Sequence, residues 1–130
     1  MIPPKLRAGD EIRVIAPAES FSQQFKKEMR ERGIKKLEAL GLKVSFGKYV
    51  DETDSFDTAP VTHRLEDLHE AVRDPNVKAI IAANGGSAAN QLLKHIDYNL
   101  LKQNPKIFCG LSDITKITSA IYANTGLVTY

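Results

Sequence analysis

The stretch VKAIIAANGGS, residues 77–87, decides the fold because it joins a buried strand to a glycine turn. Residues 77–83 form a continuous apolar run, of the kind that is buried on both faces of a parallel sheet. The pair Gly85–Gly86 follows at once, and a short apolar segment over 88–93 is predicted to be helical. A strand, a tight turn and a helix in this order are the elements of an α/β layer.

The same alternation of elements continues in both directions along the chain. Short β-branched or apolar runs and helically spaced apolar residues take turns, separated by turn residues. Strands are predicted over residues 11–16, 42–46, 77–83, 106–109 and 127–130, and helices over 21–40, 62–73, 88–93 and 114–122. We therefore expect an α/β fold of three layers, with a mostly parallel, flavodoxin-like sheet and helices on both of its faces.

The composition is that of one ordinary globular domain. The chain has 130 residues, of which 42% are hydrophobic and 26% charged, and a formal net charge of +2. It contains no basic block typical of nucleic-acid binding and no apolar run long enough to span a membrane, so we expect neither partner. The single cysteine, Cys109, cannot form an internal disulfide, which indicates a reducing compartment and a cytoplasmic location.

In parallel sheets, ligands bind at the turns that leave the carboxyl ends of strands, and FCGLSDIT at residues 108–115 contains one such turn. Spacing alone leaves two interpretations of Ser112 open. A serine on a sharp strand-to-helix turn is exposed and lies beside free backbone N–H groups, as a nucleophile for acyl transfer requires. Serine and aspartate are also favoured N-cap residues, and Ile114 stands where a general nucleophile elbow has glycine, which favours a helix cap.

The second such turn is NGGSAANQLL at residues 84–93. Gly85 and Gly86, placed between a strand and a helix, could bring backbone N–H groups close to an anion or an oxyanion. A tight turn whose glycines accept positive φ explains the same residues equally well. The stretch lacks the lysine of a P-loop and the spacing of a dinucleotide-binding motif, so it matches neither of these two phosphate-binding motifs.

The other polar residues carry weaker signals. His63, His69 and His95 fall outside the two turns, so we expect surface or half-buried side chains and not a catalytic base. Cys109 precedes the turn on a strand and is expected to be a small buried hydrophobe. A solvated turn explains the acidic loop as well as cation binding does, so no metal site is assigned. The acidic residues of that loop are Asp51, Glu52, Asp54 and Asp57.

Three stretches together resemble one known family. They are PPKLRAGDEIRVIAP at residues 3–17, HRLEDLHEAVRDPNVKAIIAANGG at 63–86 and NQLLKHIDYNLLKQNPKIFCGLSDIT at 90–115. Their order, and the glycine pair followed by G-x-S-D, are similar to the N-terminal half of the LD-carboxypeptidase serine-peptidase family. That family includes the LD-carboxypeptidases of murein recycling and the microcin-C immunity peptidases. The details of the third stretch lean toward the microcin-immunity branch.

The resemblance implies roles for individual residues. Ser112, the serine of G-x-S-D, would be the nucleophile, and the backbone N–H groups of Gly86 and Asp113 would form the oxyanion hole. Gly85 and Ser87 are implied candidates for the substrate pocket. Relatives commonly carry an aromatic residue where this chain has Ser87, so the shape of that pocket is expected to differ. The family uses no metal ion and no organic cofactor.

The resemblance also implies parts and partners beyond this chain. The family's base is a histidine oriented by a glutamate, and both come from a C-terminal domain, so residues 1–130 are expected to be the nucleophile-bearing N-terminal domain and inactive alone. The expected substrate is a murein peptide ending in D-alanine or a peptidyl- or aminoacyl-nucleotide, and the expected whole protein is a homodimer. The alternative, from another class, is a non-catalytic flavodoxin-like module that binds an anion or a nucleotide.

Overall fold

A computed structural model describes residues 1–21 and 27–130. The strands are β1 (Glu11–Ile15), β2 (Lys43–Phe46), β3 (Val77–Ala82) and β4 (Ile107–Cys109). The α-helices that follow them are α1 (Lys27–Ala39), α2 (Val61–Arg73), α3 (Tyr98–Gln103) and α4 (Thr115–Thr125), and 3-10 helices cover Ala89–Leu92 and Ser112–Ile114. Within these ranges, none of the helices combines the length and the apolar character needed to cross a bilayer.

The strands form one parallel sheet in the order β2-β1-β3-β4, which confirms the predicted α/β class. Val14 of β1 pairs with Phe46 of β2 on one side and with Ile81 of β3 on the other. The chain therefore moves outward from β1 to β2 and then crosses back to β3 and β4. This reversal opens a crevice at the carboxyl ends of β1 and β3, where parallel sheets commonly bind ligands.

Helices cover both faces of the sheet, as the alternation of side chains along each strand requires. Ile15, Ile80 and Phe108 point to one face and belong to the main hydrophobic core. That core is completed by side chains of α2, α3 and α4, among them Leu68, Val72, Leu101, Ile117 and Ile121. Val14 points to the opposite face, where it lines a groove together with Ile34 and Leu37 of α1. The three-layer arrangement follows from these two sets of contacts.

Several predicted elements differ from the observed ones. The helix α3 was not predicted; it is less than two turns long, and its clearest signal is the cap formed by Asp97, whose side chain accepts a hydrogen bond from the Leu100 N–H. The predicted strand over 127–130 is not formed, although Tyr130 exchanges two backbone hydrogen bonds with the end of β4 at Phe108 and Gly110. Of the helix predicted over 21–40, residues 22–26 with Phe25 lie outside the described residues.

A buried lysine fixes β4 to the end of α2. Lys106 is 9% exposed, and its Nζ donates hydrogen bonds to the backbone oxygens of Ala71 and Asp74. Carbonyl groups at a helix C-terminus attract a cation, which offsets part of the cost of burying the charge. Burial nevertheless lowers the pKa of Lys106 from its usual 10.5 to about 8, with the nearby Asp74 carboxylate acting in the opposite direction.

This lysine should make stability depend on pH in the alkaline range. Below about pH 8 Lys106 is protonated in both states, and the cost of its buried charge is fully present. Between pH 8 and 10.5 the unfolded chain binds more protons than the folded one, so the free energy of unfolding should rise by up to about 3 kcal/mol.

The measurement is denaturant unfolding at pH 7.5, 9 and 10 for the wild type and for Lys106→Met, which cannot titrate. The free energy of unfolding of the wild type should rise with pH relative to the variant. Parallel pH profiles would show that Lys106 does not carry the effect.

Candidate active site

The turn between β4 and α4 holds Ser112 in an unusual backbone conformation. Its φ is +61°, in the left-handed region that serine rarely adopts, whereas the preceding residue, Leu111, is extended. The 3-10 helix that starts here has no side-chain cap, and neither does α4 after it. Ser112 therefore does not act as the helix cap that its spacing allowed. The turn holds Ser112 in a strained backbone conformation and leaves this residue exposed.

Gly110 explains how this turn accommodates isoleucine at position 114. A methyl group on Gly110 would overlap Cγ2 of Ile114 and lie 3.2 Å from Cβ of Ala82. Ile114 is fully buried in the core that packs beneath α4. The missing side chain of Gly110 thus leaves the space that Ile114 fills. In this motif the glycine needed for close packing precedes the serine and is not required after it.

The glycine turn after β3 lies directly against the serine turn. A methyl group on Gly85 would lie 2.9 Å from Cβ of Ser112 and 3.0 Å from its Oγ, so only glycine leaves room for the hydroxyl. Gly86 has a φ of +141°, and a methyl group there would meet Cγ of Glu19 at 2.6 Å. The Glu19 N–H donates to the oxygen of Gly85. The turns after β1, β3 and β4 therefore meet at one point.

Backbone N–H groups from two of these turns are available for a ligand. Across residues 1–21 and 27–130, the N–H groups of Gly86 and Asp113 have no hydrogen-bond acceptor. The Asp113 nitrogen lies only 3.3 Å from where a side-chain carbon of Gly85 would be, so the two turns are in contact at this point. Paired N–H groups that face a reacting carbonyl oxygen can stabilise the negative charge that develops on it.

The two turns line a cavity of about 420 Å³ that contains Ser112, Gly85 and Gly86. Its other lining residues come from the ends of β3 and β4 and from Leu111, and none of the described lining residues is charged. Cys109 also lines this cavity and is only half-buried, so the expectation of a buried cysteine is wrong. Cys109 follows the core residue Phe108 in β4, so its side chain lies on the face of the sheet opposite the main core. Apart from Ser112, Asn84 and Cys109, the side chains that line the cavity are apolar or absent.

Ser87 lies in a neighbouring cavity and not in that of Ser112. The second cavity, of about 320 Å³, is lined by Ser87, Gln91 and Arg64, together with the loop that contains Phe56. The glycine turn separates the two cavities because Gly85 and Gly86 belong to the first and Ser87 to the second. Of the residues named from the sequence, the structure thus brings Ser112, Gly85 and Gly86 together and places Ser87 next to them.

Two charged side chains that support the site were not assigned that role from the sequence. The Asp113 carboxylate, 2% exposed, accepts a hydrogen bond from the Ala89 N–H at 2.8 Å. Arg64, 3% exposed, donates to the backbone oxygens of Pro17, Ala59 and Ala88. Burial lowers the pKa of Arg64, and the negative charges of Asp54 and Asp113 oppose that shift.

The sequence carries a signal for the buried position of Arg64. Arg64 lies four residues before Leu68 and seven before Ala71, so it shares the buried face of α2 with them. A charged residue on a buried helix face needs partners, and the carbonyl groups of three turns supply them. No equivalent signal exists for the contact between the Asp113 carboxylate and Ala89, because these two residues lie 24 positions apart in the chain.

The histidines and the acidic loop serve other contacts. His63 Nδ1 lies 2.7 Å from Oε2 of Glu52, and its ring stacks on Tyr49. His69 accepts a hydrogen bond from the Asp97 N–H, and burial lowers its pKa. None of the three histidines lines the cavity of Ser112.

The acidic residues of the loop make their own contacts. Asp51 forms an ion pair with Arg30. Asp54 accepts hydrogen bonds from N–H groups of its own loop, and these bonds hold the pKa of Asp54 below its usual value. No three His, Cys, Asp or Glu side chains in the described ranges are grouped to hold a metal ion.

Comparison with known proteins identifies relatives that share this fold. A family model described as the LD-carboxypeptidase N-terminal domain matches residues 12–130. A solved MccF-like protein from Bacillus anthracis superimposes with a TM-score of 0.96 and 51% identity, covering 99% of this chain and 39% of that one. The microcin C7 self-immunity protein MccF of Escherichia coli superimposes with a TM-score of 0.91 and 32% identity, covering 99% and 38%.

The same comparison extends to curated sequences. A probable murein peptide carboxypeptidase of Bacillus subtilis is 41% identical over 128 residues, which are 98% of this chain and 39% of that protein. The chain belongs to the LD-carboxypeptidase family and corresponds to the N-terminal domain of its members. It spans about two fifths of the length of each of these relatives.

The close contact between Gly85 and Ser112 leads to a prediction about the free energy of unfolding. Gly85→Ala should lower the free energy of unfolding by about 1–3 kcal/mol, because the new methyl group overlaps the serine side chain. Gly33→Ala is the matched control. Gly33 lies in α1 with nothing within 4 Å of its added methyl group, so this change should raise stability by about 0.5–1 kcal/mol. Equal stability of Gly85→Ala and the wild type would contradict the close packing of the two turns.

Proposed function

We propose that this chain is the nucleophile-bearing part of a serine hydrolase that cleaves an amide bond. Ser112 is the nucleophile, and the N–H groups of Gly86 and Asp113 form the oxyanion hole. The observation that carries this proposal is the left-handed backbone of Ser112, held against Gly85 at the end of β4. Strained residues of this kind cost about 1–3 kcal/mol and concentrate at active sites.

The non-catalytic alternative accounts for less of this geometry. A module that only binds an anion needs free N–H groups and usually a nearby cation. Anion binding does not require a serine that is held in a strained backbone conformation and exposed at the turn. The cavity around Ser112 has no charged residue among its described lining residues. A neutral substrate carbonyl that becomes negative only during the reaction suits such a cavity better than a permanent anion does.

The proposed reaction proceeds through an acyl-enzyme. A base removes the proton of the Ser112 hydroxyl as Oγ attacks the substrate carbonyl carbon, and the carbonyl oxygen takes up the negative charge between the N–H groups of Gly86 and Asp113. The tetrahedral intermediate collapses when the carbon–nitrogen bond breaks and the leaving amine receives the proton. Water then attacks the ester carbon, releases the acid and restores the hydroxyl of Ser112.

The base is proposed to come from the part of the relatives that this chain does not span. A histidine oriented by a glutamate in a C-terminal domain would complete the site. None of the chain's own three histidines lines the cavity of Ser112. Loss of triad partners reduces turnover by several orders of magnitude, so we propose that residues 1–130 alone are inactive.

Two substrate classes are supported by the relatives. One relative is named a probable murein peptide carboxypeptidase, which suggests a peptide ending in D-alanine. The MccF protein has been solved in complex with aspartyl sulfamoyl adenosine and with glutamyl sulfamoyl guanosine, which suggests an aminoacyl- or peptidyl-nucleotide. Both classes present an acyl group on nitrogen, as the proposed site requires. We further propose a cytoplasmic, homodimeric whole protein that needs no cofactor.

The assignment of Ser112 is tested by Ser112→Ala in the whole protein. The variant should lose hydrolysis of a murein tetrapeptide or of aspartyl sulfamoyl adenosine by at least about 10³-fold, because no other hydroxyl occupies the elbow. Release of D-alanine or aspartate measures the reaction, and thermal unfolding verifies the fold.

The matched control is Ser119→Ala, which removes the hydroxyl of an exposed serine on α4. This variant should retain the wild-type rate. Turnover by Ser112→Ala at the wild-type rate would remove Ser112 from the mechanism and favour the binding module. Hydrolysis of neither compound by the wild type would exclude both substrate classes.

A further inference from the structure

The aspartate of the G-x-S-D motif contacts the glycine turn through its side chain. Oδ2 of Asp113 accepts a hydrogen bond from the Ala89 N–H at 2.8 Å, between segments 24 residues apart in the chain. The carboxylate is almost completely shielded from water, with 2% of the side chain exposed. A buried hydrogen bond to a charged acceptor is short and strong, and its loss leaves an unpaired N–H group.

The segment that contains Ala89 also receives hydrogen bonds from Arg64 of α2. Arg64 donates from Nη1 to the oxygen of Ala88 at 3.2 Å, and from Nη2 to Oε1 of Gln91 at 2.5 Å. The peptide that joins Ala88 and Ala89 therefore has its oxygen bound to α2 and its N–H bound to the serine turn. This peptide follows Gly86 by two residues, so its position limits where the N–H of Gly86 can point.

We propose that the Asp113 carboxylate is a positioning residue that aligns the two halves of the oxyanion hole. Its own backbone N–H is one donor, and through Ala89 its side chain fixes the turn that carries the other donor, Gly86. This inference rests on the proposed function. Oxyanion donors act only when they lie at the correct distance from the developing charge, so a loosened turn should weaken binding of the transition state more than binding of the substrate.

The two oxygens of Asp113 have different partners, so the effect of its charge can be tested separately from the effect of its hydrogen bond to Ala89. Oδ1 lies 2.5 Å from Nζ of Lys116, whose side chain is 48% exposed. Lys116→Met removes this ion pair and leaves the bond to Ala89 in place. In that background Asp113→Asn keeps one oxygen for the Ala89 N–H, whereas Asp113→Ala removes it. Together, these three variants isolate the hydrogen bond between the Ala89 N–H and the Asp113 side chain.

The experiment measures kcat and KM in the whole protein. The substrate is the murein tetrapeptide or aspartyl sulfamoyl adenosine, whichever of the two the wild type hydrolyses. Lys116→Met should retain kcat within about threefold. Adding Asp113→Ala should lower kcat by about 100-fold with KM changed by less than about threefold, since one oxyanion donor is worth about 10²–10³ in rate. Adding Asp113→Asn instead should keep kcat within about tenfold of the Lys116→Met value.

Three results would overturn the inference: an unchanged kcat in the alanine variant, an asparagine variant as slow as the alanine variant, or a loss confined to KM. If the alanine variant does not fold, Asp113→Glu replaces it, because the added methylene displaces the oxygen from Ala89 while keeping the charge. An unchanged kcat there would also overturn the inference.

Ser112→Ala separates this inference from the proposed function. If that variant is inactive and the Asp113 variants are unaffected, only the positioning role is lost. If Ser112→Ala remains active, or if the wild type hydrolyses neither compound, the proposed function fails and the positioning role fails with it.

Discussion

The site depends on one constraint, which is that the chain leaves β4 through a left-handed residue that is not glycine. Ser112 adopts a φ of +61°, at a cost of about 1–3 kcal/mol for a residue with a side chain. Two neighbours without side chains make this conformation possible. Gly110 leaves space for Ile114 beneath the turn, and Gly85 leaves space for the serine hydroxyl above it. Packing of the core under α4 stabilises the strained turn.

The sheet topology determines what surrounds this serine. The strand order reverses between β1 and β3, so the turns after β1, β3 and β4 converge at one edge. Gly86 lies against Glu19 from the first of these turns, and Asp113 reaches Ala89 in the second. Buried charges on α2 and in the serine turn thus hold the peptide between Ala88 and Ala89, which follows the proposed donor Gly86 in the chain. The charged side chains stabilise the site from outside the cavity.

Much of the fold could be predicted from the sequence because local patterns carry it. The apolar run of β3 and the helical spacing in α2 predicted the parallel sheet and the helix that packs on it. The short helix α3 was missed because a six-residue helix shows little periodicity, and its signal is one capping residue, Asp97. The segment 127–130 was predicted as a strand because its residue types suit one, but only Tyr130 is hydrogen bonded to β4.

The candidate site was less accessible to local reasoning. Spacing favoured a helix cap for Ser112, and only the family resemblance favoured a nucleophile, because nothing in the neighbouring residues encodes a positive φ at a serine. Long-range contacts explain the other differences. Ser87 follows the glycine pair but belongs to the next cavity, and the Asp113 carboxylate finds its partner on a different turn.

The most direct test of the central claim is covalent labelling with a fluorophosphonate, followed by peptide mapping. The reagent forms a bond between phosphorus and an activated serine oxygen, while fluoride leaves and the base takes the hydroxyl proton. We predict that the label maps to Ser112 in the whole protein and that residues 1–130 alone react at least about 100-fold more slowly, because the base is missing. A label on another residue, or equal rates in the two proteins, would contradict the account.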